Sequence, residues 1–338
     1  MPDRPQLHAP VFGPDASGQW ARLARVLRFT AARHCREWAV HIDAIRPPAM
    51  RSAMNNDSHV TNTQKMQHWH ELVAAAPDGA RLLLVDADTM ILRPLLDLWD
   101  QPFDFAYTTK PSRFPFNSGV IAVRVSDAVR RFFATWLEEN RRMLGDPVHH
   151  QVWRRKYGGI NQAALGLLLE RGDHRTLAVR ELPCLEWNCD DSSWSAFDPN
   201  VTRIVHVKSA LRAAIFFGHA VALPTLRLVK LWRALEQAAL SSDPAAAPDP
   251  ARHPARRLTR PVGRVEAAPG GSRSAVDQAP RGRPRIHEPG AITVHATLPP
   301  KIGYARYISA VKAFVNGTAA ASYPAILGGN TNIEWGTK

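Results

Sequence analysis

Along the first 240 residues, short apolar runs alternate with longer stretches whose apolar positions recur every three or four residues. The runs fall at 11–13, 38–42, 82–85, 120–125, 177–182 and 204–207, and residues 103–108 alternate apolar and polar in the manner of a strand. Between them, residues 19–35 place Trp20, Leu23, Val26 or Leu27, and Ala31 on one helical face, with arginines on the other. Thr61 or Asn62 is positioned to cap a helix running to about residue 76, and residues 95–100 suit a short helix. Ser126 caps a helix to residue 144 with Val129, Phe132 or Phe133, Trp136 and Leu137 inward. Asn161 caps QAALGLLLE, and Pro224 opens a last helix to residue 240 with Arg227, Lys230 and Arg233 outward. Strand alternating with helix implies parallel crossovers, and so an α/β fold: a Rossmann-like, mostly parallel sheet flanked by helices.

The pattern stops at Ser241. Residues 241–290 carry nine prolines and almost no large apolar side chains, too few to offset the entropy of ordering them. The predicted organisation is one domain over 1–240, a Pro/Arg/Ala-rich disordered linker over 241–290, and a short segment over 291–338. That last segment regains a helical pattern in YARYISAVKAFVNG and suits one docked helix. Of the net charge of +13, the linker holds nine arginines against five acids and the last segment four basic residues against one acid. The first 240 residues therefore keep only +6, which suits a phosphate-rich ligand without implying nucleic acid. No stretch approaches a membrane span, and MPDRPQLHAP lacks a signal peptide's apolar region, so the expected location is cytoplasmic. Contact with the inner membrane face through the basic helix 224–240 is a further expectation. Cys35, Cys184 and Cys189 are too few for a disulfide framework and read as reduced, structural thiols.

Candidate chemistry centres on RLLLVDADTMILRP, where an apolar strand ends in Asp86-Ala87-Asp88. In open α/β sheets, ligands bind beyond the carboxyl ends of the strands. Two acids so close repel unless a positive group lies between them, and a divalent cation is the commonest remedy. Lys65 lies near a predicted helix start, where a cation opposes the dipole and so invites another reason for its presence. Asn117-Ser118-Gly119 reads as a tight bend before the 120–125 run, with Gly119 permitting close backbone approach. The polar loop WNCDDSSWSAFD offers Trp187 and Trp194 as stacking faces and Glu186, Asp190 and Asp191 as carboxylates.

Five motifs occur in order: LLLVDADTMIL, FNSGVIAV, GGINQAAL, LPCLEWNC and IVHVKSALR. Over residues 10 to about 215 the chain thereby resembles GT-A glycosyltransferases with a DxD motif, most closely the glycogenin-like and bacterial galactosyltransferase-like group. The resemblance implies transfer of a sugar from a nucleotide-diphosphate donor, with UDP-sugars the first expectation, to a glycan or lipid-linked acceptor. It implies Mn2+ or Mg2+ held by Asp86, Asp88 and His206, the imidazole favouring manganese. Lys208, two residues past His206 on the same strand face, would reach the leaving phosphate. Donor contacts would come from Asn62, Lys65, Asp86, Ala87, Asn117, Gly119 and Lys208. On the reacting face the resemblance places Asn161 and Gln162, but Asn161 stands where the group carries an acid, so a retaining course does not follow. An inverting course needs a carboxylate base, for which Asp191 is the candidate. Two other classes stand beside this one: a haloacid dehalogenase-like phosphatase using the DxD aspartates, and a binding protein working through its basic tail.

Overall fold

The computed structural model describes residues 4–12, 18–45, 50, 53 and 57–242, with the side chain of Asp43 excepted. The linker 241–290, apart from its first two residues, and the segment 291–338 lie outside the described residues.

A six-stranded sheet forms the centre, in the order β2 (Ala39–Ile45), β1 (Gln6–Phe12), β3 (Arg81–Val85), β6 (Phe116–Arg124), β5 (Phe105–Thr109), β7 (Val179–Pro183). Only β6 runs against its neighbours; every other adjacent pair is parallel. The helix-flanked, mostly parallel α/β sheet is the one that the alternation predicts, and the antiparallel β6 makes it mixed. The strand period of two sends successive side chains to opposite faces. Leu82 and Leu84 of β3 and Ile121 and Val123 of β6 enter one core, where they meet α2 (Asp57–Ala75), α3 (Asp127–Gly145) and α5 (Ile160–Arg171). Leu83 and Val85, with Val120 and Ala122, enter the other beneath α1 (Gln19–His34).

A second, two-stranded sheet pairs β4 (Thr89–Ile91) antiparallel with β8 (Ile204–His206). It is packed with α7 (Ser209–Phe217) and α8 (Leu223–Ser242) in a third core around Trp232, Leu228 and Val205. Arg22 of α1 clasps Glu236 of α8 through two hydrogen bonds, at 2.5 and 2.8 Å. The three cysteines are buried and free, and burial pushes each thiol up to about 12. No helix among the described residues is long and apolar enough to cross a membrane.

Several elements differ from expectation. β1 begins at Gln6, earlier than the 11–13 run, because His8 is buried in a stack on His41 and Pro10 lies beyond the β1–β3 pairing. Helix α2 begins at Asp57, so Thr61 and Asn62 do not cap it. Their side chains instead bond back to the carbonyls of Asp57 and Ser58. Lys65 therefore sits in the third turn, clear of the positive end of the dipole. Asn117-Ser118-Gly119 lies inside β6 rather than in a bend. The β5 register jumps from Tyr107↔Ile121 to Thr108↔Asn117, leaving Ser118 to Val120 as a bulge. Gly159, not Asn161, is the N-cap of α5. Lys208 is the N-cap of α7, past the end of β8, so it does not share a strand with His206. Three helices went unanticipated: α4 (Pro147–Tyr157), α7, and the single turn α6 (Cys184–Trp187).

Candidate active site

The β4–β8 register brings the chemistry together. His206 pairs with Thr89, one residue past Asp88, and the Val207 amide donates to the Asp88 carbonyl at 2.6 Å. On the other side, the Asp86 amide donates to the Gly119 carbonyl at 2.9 Å, tying the end of β3 to β6. The outcome is a cluster in which one ligand atom each from Asp86, Asp88 and His206 lies within 4.8 Å of the others. His206 Nε2 stands 3.2 Å from Asp88 Oδ1 and 3.6 Å from Asp86 Oδ2. The imidazole rests against Gly119, where an added Cβ would lie 2.6 Å from its Cε1. That contact is why the position takes glycine.

The acids are balanced by cations from separate elements. Lys65 Nζ of α2 reaches Asp86 Oδ1 at 2.5 Å, and Arg212 of α7 pairs with Asp88 while stacking on Trp20. Burial pushes the Asp88 carboxyl up, but His206 and Arg212 outweigh it and hold the group below the ordinary carboxylate range. A second node lies at Asp190, which is completely buried. It accepts from Lys110 at 2.5 Å and from Asn117 Nδ2 at 2.9 Å, pairs with Lys208 at 3.1 Å, and takes two hydrogen bonds from Ser192. Here too burial acts to raise the carboxyl, while Lys208, Lys110 and Ser192 together bring it well below its usual range. Lys208 is pushed down by burial and raised, on balance, by Asp190 and Asp191.

These side chains border a cavity of about 600 Å³, a size that suits a small-molecule ligand. Asp86, Ala87, Asp88, His206, Lys65 and Lys208 all line it, as do Asn62, Asn117 and Gln162. Gly119, Asn161 and Asp191 are not among its lining. Gly119 lies behind His206. Asn161 is buried with its Oδ1 unpartnered and its Nδ2 3.5 Å from Asn62 Oδ1. Gln162 spends its amide N–H groups on the carbonyls of Phe116 and Tyr157. Asp191 is half-exposed and pairs with Lys208 and Ser209. Trp187 and Trp194 are buried, so neither presents the stacking face expected of that loop. Arg212 is the residue that sequence reasoning missed as a site member, four residues past Lys208 within the motif IVHVKSALR. Of the carboxylates offered by the WNCDDSSWSAFD loop it is Asp190, not the favoured Asp191, that is tied to the site.

Two carboxylates and an imidazole make a mixed oxygen and nitrogen donor set of the kind that can hold a divalent cation. The set fits on a further count: His206 turns Nε2 toward both acids and engages its Nδ1 elsewhere, at Asn188 Oδ1, 3.1 Å away.

No family model matches the chain, and no curated protein matches it. Solved structures do. A glycosyltransferase involved in glycosylation of the major capsid of PBCV-1 is similar at 12% identity and a TM-score of 0.38, over 61% of this chain and 94% of that one. The galactosyltransferase LgtC, in complex with donor and acceptor sugar analogues, is similar at 12% identity and 0.44, over 69% and 95%. The glycosyltransferase GlyE of Streptococcus pneumoniae TIGR4 gives 12% and 0.43, over 71% of this chain and 63% of GlyE, so the match spans under two thirds of GlyE. Likeness at this level leaves donor, acceptor and reaction to be read from the site.

Proposed function

We propose that the chain is a metal-dependent glycosyltransferase that takes a sugar from a nucleotide-diphosphate donor, a UDP-sugar first, and passes it to a glycan or lipid-linked acceptor. The observation that carries this reading is the convergence of Asp86, Asp88 and His206 within 4.8 Å at a cavity also lined by Lys65, Lys208 and Arg212. Asp86, Asp88 and His206 would hold the cation, Mn2+ or Mg2+, and a cation there neutralises charge on a diphosphate leaving group. Lys208 and Arg212, each with about a quarter of its side chain exposed, face the same cavity and supply fixed positive charge to the departing phosphate. Asn62 and Asn117 offer amides to sugar or ribose hydroxyls, and Gln162 borders the reacting side.

Transfer breaks the bond from the anomeric carbon to the diphosphate oxygen and forms one to an acceptor hydroxyl oxygen, releasing the nucleoside diphosphate with the bonding electron pair and passing the hydroxyl proton to it or to solvent. A phosphatase using Asp86 as nucleophile is the second enzymatic reading. It leaves unused the imidazole that lies against both carboxylates, and so accounts for less of the site.

Calorimetry with a panel of UDP-sugars, with and without Mn2+, tests the proposal. Metal-dependent binding of at least one donor is expected, and none for any donor sinks it. Asp88→Asn should abolish donor hydrolysis while the chain still folds, as its circular dichroism spectrum reads. Unchanged hydrolysis would remove the cation from the account.

A further inference from the structure

Three fully or nearly fully buried side chains behind the acid pair form a directed chain of hydrogen bonds. Thr108 Oγ1 donates to the Asn117 carbonyl at 2.8 Å, Asn188 Nδ2 lies 3.0 Å from Thr108 Oγ1, and Asn188 Oδ1 lies 3.1 Å from His206 Nδ1. A backbone carbonyl only accepts, so the single hydroxyl hydrogen of Thr108 is committed to Asn117. Toward Asn188, Thr108 is then left as an acceptor, which requires the NH2 of the Asn188 amide to face it. The amide oxygen therefore faces His206, and Nδ1 must carry the hydrogen. Nε2 is then the ring nitrogen that faces Asp86 and Asp88, and it is the one whose lone pair a cation can take when it gives up its proton.

From this geometry we infer that Asn188 is a positioning residue. Held by Thr108, it locks His206 in the Nδ1–H tautomer and thereby presents Nε2 as a ligand to a divalent cation. The inference rests on the metal-site reading above and adds a residue to it. Gly119 supports the same function, since its close approach to Cε1 and Nδ1 leaves the imidazole little room to turn. Asn188 is well suited to the task because it is uncharged. A carboxylate there would also accept from Nδ1, but it would place a third negative charge behind the acid pair, beside Asp190, which already needs two lysines.

The test is a direct reading of the tautomer by long-range 1H–15N NMR on EDTA-treated protein at about pH 8, where free imidazole is neutral. The His206 signals are identified by their loss in His206→Gln. The same samples go into Mn2+ calorimetry. Wild type should show His206 protonated at Nδ1. Asn188→Ala should shift it toward Nε2–H and weaken Mn2+ binding by about 10- to 100-fold, as losing the group that orients a ligating histidine does. Asn188→Asp, which keeps an acceptor oxygen, should retain the Nδ1–H signature.

An Nε2–H signal with a bare Nδ1 in wild type overturns the inference without recourse to any variant, so a poorly folding Asn188→Ala does not protect it. Asn188→Ala retaining both tautomer and affinity overturns it equally. If wild type binds no Mn2+ yet loses its Nδ1–H signal in Asn188→Ala, the metal reading falls and the positioning role stands.

Discussion

Asp190→Asn is the sharpest test of how the site is held together. The substitution keeps the side chain's shape and removes only its charge. Lys110, whose side chain is 8% exposed, then loses the carboxylate it pairs with at 2.5 Å. Lys208, 27% exposed, keeps Asp191 at 3.2 Å and can turn toward water. Removing one member of a buried pair costs about 3–5 kcal/mol, mostly as the penalty of the charge left behind. Since Lys208 is relieved in part, the lower end, about 3 kcal/mol, is expected. At roughly 2–4 °C per kcal/mol for a domain of this size, the melting temperature should fall by roughly 6–12 °C at about pH 7 in calorimetry or thermal circular dichroism. Asp191→Asn is the internal control: its side chain is 42% exposed, and such pairs contribute roughly 0–1 kcal/mol. The pH dependence has a definite sign. The Asp190 carboxyl is held below its unfolded value, so its stabilisation is complete above the unfolded pKa of about 3.9 and is lost only as pH falls below it. The gap between wild type and Asp190→Asn should therefore stay constant from about pH 7 to 5 and close in stronger acid. Equal melting temperatures for the two variants, or a gap that vanishes by about pH 6, would refute the buried-node account.

Gly119→Ala sets a Cβ 2.6 Å from His206 Cε1 and 2.8 Å from Nδ1, and should weaken Mn2+ binding at least about tenfold while costing about 1–3 kcal/mol of stability. Wild-type Mn2+ affinity in this variant would show that the ring is not confined there. His150 is buried beside His59, and burial first, then His59 and Arg154, bring its pKa down to about 4. A folded pKa below the unfolded 6.5 means the unfolded chain binds the extra proton, so stability is full above about pH 6.5 and erodes as pH falls toward 4. Urea titrations at about pH 7 and 5 should show a loss of about 1–2 kcal/mol from this residue. His150→Gln should remove that share, and an undiminished loss would assign it elsewhere.

Legibility in the sequence followed from how local each determinant is. The β3 run and its terminal aspartates were readable because burial on both faces leaves an uninterrupted apolar string, and α3 because Ser126 caps it, accepting from the Val129 amide. Asn117-Ser118-Gly119 has the composition of a turn. Only pairing with β5, a non-local fact, makes it a bulge within a strand. Asp190 has the look of a solvated acid in a polar loop, since Lys110, Asn117 and Lys208, which bury and neutralise it, come from three distant stretches. Arg212 escaped notice because α7 is almost wholly apolar and carries no capping signal. It opens at Ser209 with a positive φ of 46°.

The two-stranded sheet has a consequence for the order in which the molecule comes into being. All six strands of the large sheet are encoded before residue 184, whereas His206, Lys208 and Arg212 follow it, and Arg212 meets Asp88 across 124 positions of chain. A chain emerging from the ribosome thus carries every strand of its scaffold before His206 exists. Loop closure over so long a span is slow relative to local pairing. Synthesis is therefore ordered so that the β4–β8 clasp comes late, and an unfinished chain exposes its paired aspartates without the histidine or the arginine that belongs beside them.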